Sequence, residues 1–358
     1  MSLPRIGLRC DAGPRRGVGH LVRCLALGEE FLARGAAVSL FGTVEGVGWA
    51  ADQLTARRIP LHPGPDTPAG LVAAAREHRL DAMVLDSYEL DPAGAGALRA
   101  AGVVTLAIVD GDTRGQDADL YLDQNFGADA PGGGGGGAVS GEGRLLAGTR
   151  YALLRDSVIA ARPAAPRPAT PVGRPRVLAF FGGTDAVGAA PVLTRVLLDT
   201  GHPVELTVVA ARPTIEAELA ELTPGRGQTL RLVPPTDKLP ALIRAADLVV
   251  SAAGTSTWEL CCLGAPSALV CVVDNQRESY RRVVAHGLAA GLGELPELTA
   301  PGMAGRSARA LAARVLRGLL ASPRRRAALS AQGWSAVDGR GRARVTDALL
   351  SRTSVLNR

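Results

Sequence analysis

The fold class follows from the stretch "RIGLRCDAGPRRGVGHLVRCLALGEEFLARGAAVSLFG", residues 5–42. "RIGLRC" predicts a buried strand, "HLVRCLALGEEFLARG" an amphipathic helix closed by Gly35, and "AAVSLFG" a second strand. The segment between the first strand and the helix is therefore the first β-to-α loop of a parallel sheet. His20 lies where that loop becomes the helix, after the glycines of "GVG".

Three further apolar runs in the first half of the chain predict strands that end in polar residues. They are "DAMVLDSY", "GVVTLAIVDGD" and "ADLYLDQN". Since ligands of open α/β sheets bind at the carboxyl ends of the strands, we expect Asp11, Asp86, Asp110 and Asp112 to gather at one edge. Ordinary strand-end turns explain the same carboxylates equally well.

The strand pattern starts again in the second half with "RVLAFFGGTD" and continues through "VELTVVA", "LRLVPP", "ADLVVSAAGTSTWELCCLG" and "SALVCVVDNQ". The predicted fold class is α/β, with two Rossmann-like doubly wound domains facing a central cleft. The predicted divisions are an N-terminal domain over 1–158 with a glycine-rich loop near 131–143, a proline-rich linker over 159–175, a C-terminal nucleotide-binding domain over 176–335, and a last helix over 336–358 that caps the second domain or crosses back to the first.

Composition fits this fold class and narrows the function classes. The chain has 358 residues, 47% hydrophobic and only 3% aromatic, which suits layers of small aliphatic side chains and exceeds one compact core. The net charge of +6 favours anionic partners, but the basic residues are scattered, and the densest cluster, "PRRR" at 323–326, is typical of a solvated helix end. A non-catalytic binder of nucleotides or nucleic acid is thus a weaker alternative, and we expect no nucleic-acid partner.

The cysteines and the apolar runs indicate a protein of the cytoplasm. The five cysteines lie in or beside apolar segments without a C-x-x-C pair, which predicts buried reduced thiols and no metal site. The sequence has no leader pattern and no apolar run long enough to cross a bilayer, so we expect no membrane insertion.

Three strand ends in the second half have residues suited to a phosphate or a sugar. The turn at Gly182 and Gly183 lets backbone N–H groups approach a phosphate, although it is also explained as a tight turn. The stretch "GTSTWE" at 254–259 either forms a capping box between Ser256 and Glu259 or holds a diphosphate with Glu259 on a ribose, or does both in part. "DNQ" at 274–276 is an ordinary turn or a set of hydrogen-bonding groups for a sugar.

Taken in order, seven motifs resemble one enzyme family. "RCDAGPRRGVGHLVRCL", "DSYEL", "LDQN", "LLAGTRYALLR", "FFGGTD", "SAAGTSTWELCCLGAPS" and "VVDNQ" are similar to the UDP-2,4-diacetamido-2,4,6-trideoxy-β-L-altropyranose hydrolases of pseudaminic acid biosynthesis. That family is related to the GT-B glycosyltransferases, including the N-acetylglucosaminyltransferase of lipid II synthesis. The resemblance covers residues from about 5 to about 290.

The resemblance implies an enzyme without metal or cofactor that hydrolyses the anomeric C–O bond of a UDP-sugar with inversion. Its catalytic residues are His20, as the general base that deprotonates water, and Asp11, which orients the site. The implied substrate-binding residues are Gly17, Gly19, Asp86, Tyr88, Gly182, Gly183, Thr184, Gly254, Thr255, Ser256, Glu259, Asn275 and Gln276.

Two features leave the exact reaction open. The family loop usually has serine where this chain has Gly13, and here Cys10 precedes Asp11, so we expect the sugar contacts of this loop to differ from those of the family. A glycosyltransferase in which His20 activates an acceptor hydroxyl or amine is the alternative, because only the occupant of the nucleophile position distinguishes it from a hydrolase. The sugar, the base of the nucleotide and the oligomeric state are not specified by these residues.

Overall fold

The structure is a computed structural model that describes residues 3–14, 16–46, 48–130, 143–171 and 173–356. The predicted glycine-rich loop near 131–143 lies, apart from Gly143, outside the described residues. The chain divides into two compact units: unit 1 is Met1–Asp156 with Gly339–Arg358, and unit 2 is Ser157–Asp338. Each unit is an α/β layer structure around one parallel sheet, as the strand pattern predicts.

Unit 1 contains a seven-stranded parallel sheet in the order β3-β2-β1-β4-β5-β6-β7. Its strands are β1 (Arg5–Arg9), β2 (Ala37–Phe41), β3 (Leu61–His62), β4 (Ala82–Leu85), β5 (Val104–Ile108), β6 (Leu120–Asp123) and β7 (Arg144–Ala147). Its helices are α1 (Gly19–Ala33), α2 (Gly48–Ala56), α3 (Pro68–Glu77), α4 (Ala93–Ala100) and, after unit 2, α14 (Gly341–Leu356), with α5 (Asp156–Ala160) at the boundary between the units.

The strands of unit 1 are apolar because helices cover both faces of the sheet. Every residue of β4, β5 and β6 is buried, as expected of central strands in a parallel sheet. The chain builds outward from β1 in both directions, since β1 pairs with β2 on one side and with β4 on the other. The loops after β1 and β4 therefore diverge at the edge where such sheets bind ligands.

The last helix of the chain belongs to unit 1. α14 packs on α1, and the guanidinium of Arg342 bonds Glu29 Oε2 at 2.9 Å, bonds the carboxylate of Asp156 and lies 3.3 Å from Glu30. The Glu29 side chain is 5% exposed and that of Arg342 is 11% exposed, so the charges are paired away from water. The final segment thus adds a helix to the first unit by a buried ionic contact.

Unit 2 contains a six-stranded parallel sheet in the order β10-β9-β8-β11-β12-β13. Its strands are β8 (Arg176–Phe180), β9 (Val204–Val209), β10 (Gln228–Val233), β11 (Leu248–Ala252), β12 (Ser267–Cys271) and β13 (Ala290–Glu294). Its helices are α6 (Ala189–Leu198), α7 (Pro213–Ala220), α8 (Leu239–Ala245), α9 (Ser256–Cys262), α10 (Arg277–Ala285), α11 (Leu295–Thr299), α12 (Gly302–Ala321) and α13 (Pro323–Ala336). The strand order reverses between β8 and β11, as it does between β1 and β4 in unit 1.

The proline-rich segment is attached to unit 2 by two arginines. Arg162 donates to the carbonyl oxygens of Cys262 at 2.7 Å and Trp334 at 2.9 Å. Arg167 donates to Ala246 O at 2.6 Å and to two further carbonyl oxygens of α8. This part of the predicted linker is therefore packed against the second sheet unit.

The five cysteines are buried and free, as predicted for reduced thiols. Among the helices that the structure describes, none has both the length and the hydropathy needed to cross a membrane.

We expect Arg342→Met to loosen α14 from α1, because the substitution removes the arginine of α14 that bonds buried Glu29 and leaves only Arg57 as its cation. Since Glu29 keeps its pair with Arg57, the loss is that of a hydrogen bond to a charged group, which costs about 2 kcal/mol. Amide hydrogen exchange followed by mass spectrometry should therefore speed up in the peptides of α14 and α1.

Arg352→Met on the same helix is the matched control, since the Arg352 side chain is 38% exposed and lies 3.9 Å from Asp119. Its exchange should change little, because exposed ion pairs contribute about 0 to 1 kcal/mol. Equal effects of the two substitutions would show that the buried contact does not hold α14.

Candidate functional site

The candidate site of unit 1 is at the carboxyl edge of its sheet, beside the point between β1 and β4 where the strand order reverses. His20 is the second residue of α1, which follows β1, and Asp86 is the first residue after β4. Asp110 follows β5 by two positions, and Asn125 follows β6 by two positions. Three neighbouring strands and one helix thus place polar side chains at a single edge.

His20 and Asp86 form the central contact. His20 Nδ1 lies 2.6 Å from Asp86 Oδ1, and the Asp86 side chain is 1% exposed. A carboxylate can only accept, so Nδ1 carries the proton and Nε2 has a free lone pair. The His20 side chain is 19% exposed, which leaves the imidazole within reach of a ligand.

Arg23, one turn further along α1, fixes the Asp86 carboxylate from the other side. Its Nε donates to Asp86 Oδ2 at 3.0 Å and its Nη2 to Oδ1 at 2.7 Å, a bidentate pair. Nη2 lies 3.1 Å from His20 Nδ1 because both nitrogens donate to the same oxygen. Asp86 is thereby held in one orientation by a cation and an imidazole.

The pKa of Asp86 lies below its ordinary value. Burial alone would raise it, but the charge of Arg23 and the contact with His20 outweigh that effect. Burial likewise opposes the charge of Arg23, yet the carboxylates of Asp86 and Asp110 raise its pKa well above the usual value. The pair is therefore ionised throughout the physiological range.

Asp110 extends the network outward from Arg23. Arg23 Nη1 lies 3.3 Å from Asp110 Oδ1, Asn125 Nδ2 donates to the same oxygen at 3.0 Å, and the Tyr88 hydroxyl donates to Oδ2. Burial opposes ionisation of Asp110, but the charge of Arg23, followed by these hydrogen bonds, lowers its pKa to about 2. The carboxylate is 20% exposed and keeps its negative charge at the site.

Tyr88 covers the outer side of His20. The two rings are 5.1 Å apart at 76°, an edge-to-face contact, and the guanidinium of Arg114 lies 4.8 Å from the Tyr88 ring centroid. Burial and the charge of Asp110 raise the pKa of Tyr88, so its hydroxyl stays a donor. At 44% exposed, the ring offers a surface to a ligand.

Asp123, the last residue of β6, holds Asn125 and the loop after β5 in place. Its carboxylate accepts from Gly111 N at 2.9 Å and from Asn125 Nδ2 at 2.8 Å. Burial raises its pKa. Since Asn125 bridges Asp123 and Asp110, the loops after β5 and β6 are joined by side chains.

Asp11, predicted as a catalytic residue, has other partners. Its carboxylate pairs with Arg9 Nη1 at 2.9 Å and accepts from Thr43 N at 2.8 Å, while Arg16 lies 3.6 Å away. These contacts connect the loop after β1 to the loop after β2. Gly17, with φ +74°, exchanges backbone hydrogen bonds with Gly13 and so closes the turn that leads to Gly19 and α1.

In unit 2, the loop after β8 exposes Gly182 and Gly183, whereas Thr184 is buried. Gly182 has φ +71° and open space where a side chain would be. Asp185 occupies the start of α6, accepting from Ala189 N at 2.8 Å and from Ala190 N. The exposed part of this motif is therefore the glycine turn, because these two N–H groups of α6 are already bonded.

The loops after β11 and β12 meet at Gly254 and Gln276. A Cβ at Gly254 would lie 3.4 Å from Gln276 Nε2, and Gln276 Oε1 accepts from Val272 N at 3.1 Å. Gly254, Thr255 and Ser256 are half-buried at the mouth of this loop pair. The structure thus brings two of the predicted substrate-binding motifs together.

The remaining predicted residues of unit 2 differ in burial. Glu259 is 4% exposed within α9, whereas Asn275 is exposed beyond β12. The capping box predicted between Ser256 and Glu259 requires Ser256 at the N-cap, but Thr255 is the N-cap and its side chain makes no capping bond. Ser256 is instead the first residue of the helix.

Sequence patterns did not single out Arg23 and Asn125. The available signal for Arg23 was its spacing of three residues from His20, which places both side chains on one face of a helix. Asn125 lies in the quoted "LDQN" motif, but its partner Asp110 is 15 residues away. Within the described residues no group of three or more His, Cys, Asp or Glu side chains could hold a metal ion.

Comparison with known proteins identifies the fold. No protein-family model and no curated protein sequence matches the chain. Among solved structures it is similar to MurG of Acinetobacter baumannii, with TM-score 0.66, 15% identity and coverage of 97% of this chain and 99% of that one. A second is the UDP-GlcNAc 2-epimerase of Neisseria meningitidis bound to UDP-GlcNAc, with TM-score 0.65, 11% identity and coverage of 97% and 100%.

A third similar structure is the glycosyltransferase SsfS6 of Streptomyces sp. SF2575, with TM-score 0.55, 16% identity and coverage of 96% and 99%. Identities this low show a shared fold. The chain therefore has the GT-B arrangement of two parallel sheets with interleaved helices, as predicted for its fold class.

We expect Asp110→Asn to lower the free energy of unfolding at neutral pH by about 2 kcal/mol, from the lowering of its pKa from 3.8 to about 2. A carboxyl group whose pKa is lower in the folded state stabilises the fold at pH values above the pKa of the unfolded state. This contribution disappears as the pH falls through the folded-state pKa. The difference between wild type and Asp110→Asn, measured by urea denaturation, should therefore shrink as the pH falls from 3.8 towards 2.

Asp112→Asn is the control, because Asp112 accepts a hydrogen bond from the backbone of Arg114 two residues away. It should leave the pH dependence nearly unchanged. If the difference in free energy of unfolding between wild type and Asp110→Asn stayed constant over this pH interval, the result would contradict an ionised Asp110.

Proposed function

We propose that this chain is an enzyme that transfers a sugar from a UDP-sugar to an acceptor hydroxyl or amine, with His20 as the general base. The observation that carries the proposal is the 2.6 Å contact from His20 Nδ1 to Asp86 Oδ1. This hydrogen bond holds the imidazole proton on Nδ1 and leaves the lone pair of Nε2 available, which is the tautomer that a proton acceptor needs.

In the proposed step His20 Nε2 accepts the proton that the nucleophile loses. The acceptor O–H or N–H gives its proton to Nε2, and the acceptor atom forms a bond to the anomeric carbon. The anomeric C–O bond to the nucleotide breaks, and its electron pair leaves on the diphosphate. Asp86, already paired with Arg23, stabilises the imidazolium that results. One displacement of this kind inverts the anomeric centre.

The sugar side of the reaction is assigned to residues that surround His20. The Tyr88 ring is exposed and its hydroxyl is fixed by Asp110, so ring and carboxylate present an apolar face beside an acceptor of hydrogen bonds. Sugars offer that combination, C–H faces alternating with hydroxyl or amide groups. Asp11 is assigned to shaping the loop through Arg9 and Thr43 N.

Nucleotide binding is assigned to unit 2. The exposed backbone of Gly182 and Gly183 and the loop pair of Gly254 and Gln276 lie after strands on either side of the point where its sheet reverses. Backbone N–H groups in such turns favour a diphosphate and stabilise the charge of a departing one. Thr184, Thr255, Ser256, Glu259 and Asn275 are proposed to complete the UDP site.

Transfer to an acceptor is preferred to hydrolysis because the similar solved structures include a named glycosyltransferase and a protein bound to UDP-GlcNAc. Hydrolysis of a UDP-activated acetamido-deoxy sugar is the second candidate, supported by the ordered resemblance of seven motifs to the UDP-sugar hydrolases. His20 has the same role in both reactions.

The test measures UDP release from UDP-N-acetylglucosamine and from UDP-acetamido-deoxy sugars, in ¹⁸O-water, with and without a panel of sugar and amine acceptors. We expect UDP release that depends on an acceptor, and we expect no ¹⁸O in the transferred sugar. His20→Asn should reduce turnover by about 10²- to 10⁴-fold while UDP affinity is retained. Asp86→Asn should also reduce turnover, because it can stabilise the other imidazole tautomer.

His202→Asn, at a surface turn of unit 2 where Nδ1 contacts Pro203 O, is the control and should retain full activity. Acceptor-independent release with ¹⁸O in the sugar would instead support the hydrolase. Absence of UDP release with every substrate, or full activity of His20→Asn, would reject both reactions.

A further inference from the structure

Unit 2 holds an excess of positive charge in one segment that the proposed reaction does not use. Residues 298–337 contain seven arginines and no acidic residue, whereas the whole chain has a net charge of +6. The segment comprises α12 and α13, which pack against each other. The positive charge of the protein is therefore concentrated on two adjacent helices.

Three of these arginines have structural roles. Arg309 donates to Leu298 O at 2.6 Å, and Arg317 donates to Thr200 O at 3.1 Å. Arg326 is 5% exposed and donates to Leu319 O and Leu320 O, two carbonyl oxygens in the last turn of α12. Their hydrogen bonds explain why arginine is present at those positions.

The other four arginines are exposed, and within the described part of the chain no acidic partner is found for them. They are Arg306, Arg314, Arg324 and Arg325. Arg325 extends across α12 at Gly318, where any side chain would collide with its guanidinium. Since Gly318 is one turn after Arg314, the cations of the two helices lie side by side.

Large apolar side chains are exposed on the same face of α12. Met303 is 76% exposed and Leu311 is 55% exposed, whereas Leu316, Leu319 and other apolar residues of the helix are buried against the unit. The positions 303, 307, 311 and 314 follow helical spacing and form one outward stripe. We name Met303, Arg306, Leu311, Arg314 and Arg325 the arginine face.

We propose that the arginine face is a docking surface for an anionic phospholipid membrane. Arginines attract the negative headgroups, and Met303 and Leu311 insert between them, which is the chemistry of a helix lying in the membrane interface. The proposal concerns a peripheral contact of unit 2 and is independent of the reaction at His20.

A nucleic acid fits the same face less well. Trp334 is the sole aromatic residue of the segment 298–337, and its Nε1 donates to Pro163 O at 3.0 Å while Arg162 lies 4.5 Å from its ring. The face therefore has no free ring on which a base could stack. Exposed Met303 and Leu311 also gain nothing from a phosphodiester backbone, whereas lipid chains accept them.

The test is flotation of the full chain with vesicles of equal parts phosphatidylcholine and phosphatidylglycerol, compared with phosphatidylcholine alone. We expect binding to the anionic vesicles only, weakened by salt. The double substitution Arg306→Gln with Arg314→Gln should reduce partitioning about 30-fold, since each arginine near such a surface contributes about fivefold. Met303→Ser with Leu311→Ser should reduce it roughly tenfold through the loss of apolar burial.

The matched control is Arg195→Gln with Arg226→Gln, which removes two exposed positive charges elsewhere on unit 2. It should partition nearly as wild type does. The proposal is overturned if the wild-type chain does not float with anionic vesicles, or if the control loses as much binding as the arginine-face variant. Salt-sensitive binding of single-stranded RNA in gel-shift assays, without vesicle binding, would assign the face to nucleic acid instead.

Discussion

The hydrogen bond from His20 Nδ1 to Asp86 is the interaction on which the candidate site depends. It is short because the carboxylate is buried, charged and fixed by Arg23, so that the imidazole has one low-energy orientation. Burial works against ionised groups, and an unpaired Asp86 at 1% exposure would be costly. Arg23, on the same helix as His20, supplies the cation that stabilises buried Asp86. Its Nη1 also donates to Asp110, so the guanidinium has an anionic partner on each side.

The parallel sheets explain why such a network forms where it does. In each unit the strand order reverses beside the first strand of the sheet. The loops on the two sides of that point turn away from each other, and the polar residues that follow the strands lie at the carboxyl edge between them. In unit 1 those residues are charged and joined to one another. In unit 2 they are glycines, hydroxyls and amides, with Asp185 already bonded to the start of α6. The two edges thus differ in chemistry, one suited to moving a proton and the other to holding an anion.

Local patterns in the sequence were sufficient to predict the fold class and the position of His20. The helix predicted after "GVG" begins at Gly19, and Gly35 follows it with φ +79°, since apolar spacing and glycine conformations are local properties. The network around His20 was less accessible. Asp86 is 66 residues from His20 in the chain, and its pairing with Arg23 depends on how β4 lies beside β1.

Other differences from the sequence predictions have similar causes. The capping box at Ser256 was wrong because the helix starts one residue earlier than that motif requires. The contact of α14 with α1 was left open, since the partners Arg342 and Glu29 are 313 residues apart. Patterns of residue type thus predicted which strand ends have polar side chains, while the contacts that orient those side chains required the tertiary structure.

The orientation of His20 can be measured directly by ¹⁵N NMR of protein labelled at histidine, with the His20 signal identified by its loss in His20→Asn. At a pH where the imidazole is neutral, we expect the proton on Nδ1 and a non-protonated Nε2. Asp86→Asn should alter that tautomer preference. A proton on Nε2 in the wild-type protein, or an unchanged spectrum in Asp86→Asn, would contradict the assignment of His20 as a base oriented by Asp86.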